Sequence, residues 1–167
     1  MKISDAEKRQ RLKKLIGDFK TAMLVTRTEG GQLRSRPLAI AGVGEDGVLY
    51  FSTAFDSQKT SDLNADAHVN VSMQDRRRFV SITGIGHIEI DRDLVRDLWQ
   101  ESWRLWFPKG KNDPSLCILV VDPKEATAWD MSGADGFRVL FETAAGAITG
   151  GDPRQAPSHS SMSSSSS

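Results

Sequence analysis

The sequence predicts a mainly β domain of the α+β class, an antiparallel barrel of six to seven strands with peripheral helices. Three observations lead there. From Thr21 onward, short β-branched and apolar runs are broken by turns rich in Gly and Asp. Helical patterns fall between only some of those runs, so the regular alternation that builds a parallel sheet is missing. The 167 residues make one domain of ordinary size, long enough to bury about 70% of the surface that the unfolded chain exposes without help from disulfides or a structural metal.

The elements follow in order. Ser4 with Glu7 three residues on forms a capping box, and Leu12, Leu15, Ile16 and Phe19 recur at helical spacing, which predicts an amphipathic helix. Its basic residues, Lys8, Arg9, Arg11, Lys13 and Lys14, read as a solvated face, because no aromatic is interleaved with them before Phe19 as a stacking surface requires. Thr21 to Thr26, Arg34 to Val43 and Val48 to Thr53 are strands joined by the turns Glu29-Gly30-Gly31 and Gly44-Glu45-Asp46-Gly47. Ser57 to about Asp66 is a short helix capped by Ser57 or Asp56 and anchored by Leu63. Val69, Val71 and Met73 alternate with polar residues, a strand with one wet face. Phe79 to Ile90 is a long strand in which Gly84 and Gly86 mark a bulge or a close backbone approach. Asp91 caps a helix that carries Leu94, Val95, Leu98, Trp99 and Trp103, and after the loop Pro108–Pro114 two last strands are expected, Leu116 to Val121 and Ala126 to Asp130. Residues 1–145 are expected to form the folded domain, with Phe137, Val139 and Leu140 available for a short final element; 146–167 are read as a disordered Gly/Pro/Ser-rich tail.

Composition excludes several classes. Twenty-two basic against 22 acidic residues leave no net charge, which argues against a dedicated nucleic-acid binder. One cysteine cannot form an internal disulfide, and three scattered histidines give no zinc-ligand spacing, so no metal is expected. There is no apolar stretch near 18 residues and no secretory leader, so no membrane association is expected and the cytoplasm is the expected compartment.

Phosphate-binding and dinucleotide loops and the nucleophile elbow are missing. Cys117 lies in the apolar run Leu116-Cys117-Ile118-Leu119 and reads as a buried inert thiol; His68, His87 and His159 have no evident carboxylate partner nearby in sequence. No catalytic residue is assigned. One anion-binding arrangement remains. A strand runs into a helix whose first turn offers free N–H groups, the Ser57 hydroxyl and the Lys59 ammonium. Taken alone, that motif reads better as a plain cap and a solvated lysine. Arg34 and Arg36 alternate on the preceding strand and point to one face, where two guanidiniums need an anion or open solvent.

Arg34-Ser35-Arg36-Pro37-Leu38, Leu49-Tyr50-Phe51-Ser52-Thr53, Ser57-Gln58-Lys59-Thr60-Ser61-Asp62-Leu63-Asn64 and Val69-Asn70-Val71, followed by Trp99, Trp103, Trp106-Phe107-Pro108-Lys109-Gly110, Asp113-Pro114 and Trp129-Asp130, resemble the pyridoxamine 5′-phosphate oxidase-like flavin-binding split barrels, in their general stress protein 26 branch. The resemblance implies a split barrel that binds FMN, with FAD or a deazaflavin as alternatives, at the interface of a homodimer. It implies that Arg36 and Lys59 contact the flavin phosphate with Ser57 and Gln58 at the same helix start. Pro37 and Leu38 would line the ring edge, Ser52 and Thr53 would follow the ribityl chain, and Trp106 would approach from the second subunit. Phe79 stands where the oxidases proper place a glutamine, and Ala41 where they place a lysine; their substrate-phosphate residues have no counterpart after Trp129. Vitamin B6 oxidation is therefore not expected. Two functions stay open, a flavin-binding stress-type protein and an FMN- or deazaflavin-dependent oxidoreductase acting on a small molecule.

Overall fold

The computed structural model describes residues 4–131 and 137–142; the expected tail at 146–167 lies outside them. Helix α1 (Asp5–Gly17) begins at the foreseen box, with the Glu7 N–H donating to Ser4 Oγ and the Ser4 N–H to the Glu7 carboxylate. Seven strands follow, β1 (Thr21–Arg27), β2 (Leu33–Val43), β3 (Leu49–Ala54), β4 (His68–Gln74), β5 (Arg78–Glu89), β6 (Leu116–Asp130) and β7 (Phe137–Glu142). Helix α2 (Gln58–Ala65) joins β3 to β4, and α3 (Arg92–Leu98) follows β5.

All pairings are antiparallel, and because β3 also pairs with β6 the first six strands close on themselves in the order β1-β2-β3-β6-β5-β4. Closure gives the barrel an inside. Leu24, Val71, Ile82 and Ala126 are in register across four strands and all buried, and α1 adds Leu12 and Ile16 to the same core. A second apolar layer lies outside the wall, where Val95, Trp103 and Phe107 cover Leu116, Ile118 and Val120. With both faces covered, Leu116–Val121 is buried throughout, which is why its sequence is a continuous apolar run without alternation.

Two expectations change. The last two strands are one. The segment Asp122-Pro123-Lys124-Glu125, between the two expected strands, is a bulge within β6, where the register to β5 steps from Thr83–Glu125 to Gly84–Pro123. Pro is tolerated at a bulge, and Gly84 opposite makes room: a Cβ there would meet the Asp122 carbonyl oxygen at 2.4 Å. The bulge also splits the barrel. Before it β6 pairs with β3, and after it with β7. The Trp-bearing helix, for its part, stops at Leu98. Trp99 and Gln100 are extended, and a separate 3₁₀ turn spans Glu101–Leu105. The break lets the Gln100 amide donate at 3.2 Å to the Ala41 carbonyl, which a second bulge displaces from the β2–β3 ladder. Long-range satisfaction of a polar group wins over helix continuation.

Candidate functional site

The β2–β3 ladder runs only from Ile40–Phe51 to Val43–Leu49. Beyond it the strands diverge, and among the described residues β2 has a strand neighbour from Leu33 to Ala39 on the β1 side alone. The Ile40 N–H bonds the Lys20 carbonyl on that side, and backbone groups alternate in direction along a strand, so those of Pro37 and Ala39 aim into the gap. Pro37 leaves no unsatisfied N–H there.

A cleft of about 600 Å³ occupies the gap. Pro37, Leu38 and Ala39 form one lip, Ser52, Thr53 and Ala54 the other, and Lys59 enters from the first turn of α2. Trp103, Trp106 and Phe107 wall it, with Ser102 beside them. Trp103 and Phe107 are anchored in the outer core, and Trp103 packs edge-on against Trp99 with ring centres 5.7 Å apart. Trp106 is 76% exposed, held at the mouth with little covering it.

Six of the nine expected site residues share one cleft: Pro37, Leu38, Ser52, Thr53, Lys59 and Trp106, the last of which is expected from a second subunit but walls the cleft of its own chain. The Lys59 ammonium is half-buried and, among the described residues, has no carboxylate at ion-pair distance. Burial and the nearby Arg36 charge both push its pKa below the usual lysine range.

Ser57, Gln58 and Arg36 stand just outside the lining. Ser57 is the residue before α2, yet its side chain makes no cap bond. Thr60 donates its hydroxyl proton to the Ala54 carbonyl at 3.2 Å, so Ser57, 3.0 Å from Thr60 Oγ1, must donate to Thr60 and accept from Thr53 at 3.3 Å. The Ser57 hydroxyl thus belongs to a hydroxyl relay, and the Thr60 N–H that a cap would satisfy bonds the Ser57 carbonyl oxygen instead. The N–H groups of Gln58 and Lys59, at the first two helical positions, are the ones that geometry leaves without intrahelical partners.

Arg36 is in register with Leu24, Val71 and Ile82, so it leaves β2 on the interior face of the barrel. A cation there needs a partner. It donates to Thr26 Oγ1 at 2.6 Å and to the Asp62 carboxylate at 3.2 Å, and Gln58 donates to the other oxygen of the same carboxylate at 3.2 Å. Asp62 was not singled out from the sequence. It sits four residues after Gln58 in a polar stretch of helix, with nothing to mark it from a solvated acid. Burial pushes its pKa up, but the hydrogen bonds from Thr26 and Gln58 and the charges of Arg34 and Arg36 outweigh that, and the net shift is downward.

The remaining candidates fall elsewhere. Cys117 is buried on the barrel's inner side, its thiol donating to the Thr53 carbonyl, and desolvation raises its pKa to about 11, as expected of an inert thiol. His68 has a partner after all, Asp66, at 2.8 Å from Nδ1. Phe79 lines a separate groove with Met23 and Trp129 on the outer face of β1, β4 and β5. Among the described residues no group of His, Cys, Asp or Glu has metal-site geometry, and no helix is long and apolar enough to cross a membrane.

Comparison with known proteins fits this geometry. The family described as pyridoxamine 5′-phosphate oxidase like matches residues 7–154. The Neurospora crassa protein bli-3 is 33% identical over 144 residues, 78% of this chain and 68% of bli-3. Among solved structures, general stress protein 26 of Bacillus anthracis superposes with a TM-score of 0.65 at 22% identity, covering 73% of this chain and 93% of that one. The general stress FMN/FAD binding protein of Xanthomonas citri does so with a TM-score of 0.62 at 27% identity, covering 75% and 89%. The closed antiparallel barrel that splits at β6, the order of the motifs and the match along most of its length agree: the chain belongs to the pyridoxamine 5′-phosphate oxidase like family.

Proposed function

We propose that the chain is a flavin-binding protein of the general stress type that holds FMN in the cleft between β2 and β3 and works as a homodimer, the second copy covering Trp106. The observation that carries this reading is the half-buried Lys59 ammonium, which has no carboxylate partner among the described residues and lies near Arg36 at one end of a cleft whose other wall is aromatic. Asp62 neutralises Arg36, and the Lys59 charge that remains lowers the protein's stability until an anion joins it. A planar ring with a phosphate tail fits such a site. The cleft volume of about 600 Å³ suits a cofactor of this size. Trp103 and Phe107 offer flat apolar contact, the freed backbone of Pro37 and Ala39 faces the ring edge, and Lys59, Arg36 and the first N–H groups of α2 face the phosphate.

A flavin bound there supplies the redox chemistry, and the protein supplies binding, orientation and electrostatics. Among the described residues that line the cleft, Lys59 is the one titratable side chain. That favours a binding or carrier role over a dedicated oxidoreductase, which needs a proton donor or acceptor near the ring.

The test begins with the absorption spectrum of the purified protein and titration with FMN, FAD, riboflavin and a deazaflavin. Lys59→Ala and Arg36→Ala are each expected to weaken FMN by about 10- to 150-fold, the equivalent of about 1.5–3 kcal/mol for a hydrogen bond to a charged group. Riboflavin, without the phosphate, should lose less, and Lys14→Ala on the exposed face of α1 should change neither. Equal losses for FMN and riboflavin would show that the anion end is misassigned.

A further inference from the structure

We propose that Asp62 is a positioning residue that presets Arg36 for a phosphate monoester at the end of the cleft; the proposal rests on the flavin-phosphate reading above. The structure offers an arrangement that neither ion pairing nor solvation accounts for alone. The Asp62 side chain is 2% exposed, whereas that of Arg36 keeps 21% of its surface in solvent. The carboxylate is therefore the fixed member and the guanidinium the one with a free side. Three donors hold Asp62. Thr26 Oγ1 donates to Oδ2 at 2.8 Å, Arg36 Nη2 to the same oxygen at 3.2 Å, and Gln58 Nε2 to Oδ1 at 3.2 Å.

Thr26, wholly buried in β1, closes the triangle by accepting from Arg36 Nη1 at 2.6 Å while its own proton goes to Asp62. Nη1 and Nη2 are thus each engaged on one side, and the guanidinium plane is fixed. Among the described residues its remaining N–H groups make no hydrogen bond, and Arg36 lies near enough to Lys59 for its charge to depress that ammonium. Gln58 and Asp62 lie one turn apart on α2, so the carboxylate also ties the helix start, with its free N–H groups, to the β1–β2 pair that carries Arg36.

A negative charge beside an anion site opposes the ligand through space. Its presence there is explained if the geometry it confers outweighs that repulsion. A flexible arginine loses side-chain freedom on capturing a phosphate, whereas a preset one has lost it on folding. Asp62 also cancels one of the cations that would otherwise repel each other in the ligand-free protein.

The experiment is a double-mutant cycle read by binding. Asp62→Asn, close to isosteric, is made in the wild-type and Arg36→Ala backgrounds, and FMN and riboflavin affinities are measured by fluorescence titration alongside thermal unfolding. Asp62→Asn should weaken FMN about 10-fold, the scale of one charge-assisted hydrogen bond, leave riboflavin within about 2-fold, and have no further effect once Arg36 is gone. Equal losses for the two ligands, a loss that persists in the Arg36→Ala background, or tighter FMN binding would each overturn it. If Asp62→Asn does not fold, Thr26→Val tests the same triangle, with the same selective loss of FMN expected. A wild-type protein that binds riboflavin as tightly as FMN would instead defeat the phosphate reading itself, and this proposal with it.

Discussion

Lys59 carries its charge at a cost to the folded protein. Its pKa is depressed by burial and by Arg36, so between its folded value and the ordinary lysine value of about 10.4 the unfolded chain holds more protons. Stability of the ligand-free protein therefore rises with pH across that window. Lys59→Met should remove this rise, melt higher than wild type at neutral pH without ligand, and lose FMN; scanning calorimetry with and without FMN checks both, and lower stability would contradict the argument. FMN binding favours the protonated lysine, so the preference for FMN over riboflavin should fall as pH climbs through the free-protein pKa, and Lys59→Arg should extend it to higher pH. Asp75 also has a depressed pKa and the same sign of pH slope, but there the charged form is the one that stabilises the fold. Hydrogen bonds from the Arg77 backbone, the Arg78 side chain and the Arg78 backbone hold its pKa at about 2, so its contribution to stability is full above the unfolded value of about 3.9 and is lost as pH falls toward about 2. Urea unfolding of Asp75→Asn should differ from wild type at about pH 5 and converge with it near pH 2.

At the scale of elements, β5 shows how two glycines in one strand do different work. A Cβ on Gly84 would lie 2.4 Å from a backbone oxygen, while a Cβ on Gly86 would lie 2.8 Å from the Leu63 Cδ2 methyl. Backbone cannot yield as a methyl can. Gly84→Ala should therefore be the costlier change, toward the upper end of the roughly 1–3 kcal/mol typical of overpacking. Gly86→Ala should cost less in a Leu63→Ala background than alone, as chemical denaturation of the four variants would show. The sequence marked both positions, because glycine weakens a strand interior and is kept there where a bulge or a neighbouring chain leaves no room for a Cβ. It did not reveal that the bulge facing Gly84 lies in β6, which enters the chain only after α3.

For the whole molecule, the exposed aromatic edge is the feature to explain. Trp106, at the mouth of the cleft, is 76% exposed and its chain neighbour Leu105 78%, and exposed apolar side chains grouped together mark an interaction surface. Sedimentation velocity at micromolar concentration should show a dimer, with an interface upward of about 2,000 Å² if it is obligate. Trp106→Glu should shift it toward monomer and weaken FMN in parallel, whereas a folded wild-type monomer that binds FMN fully would remove the dimer from the proposal. Trp99 and Trp103, by contrast, belong to the chain's own outer layer.

What the sequence determined by itself was local or periodic. The α1 box, the alternation of β4 and the apolar strand Leu116–Val121 follow from residue spacing, whereas the grouping of Pro37, Leu38, Ser52, Thr53, Lys59 and Trp106 came from the resemblance carried by the order of short motifs. Only the tertiary structure decided which face of β2 is the inside of the barrel. Alternation puts Arg34 and Arg36 on one face but cannot say whether that face is wet, and closure of β3 onto β6 is what turns it inward. Once inside, Arg36 requires a buried carboxylate. Asp62, which sequence alone cannot tell from any exposed helical acid, supplies it because α2 packs against β1 at that point.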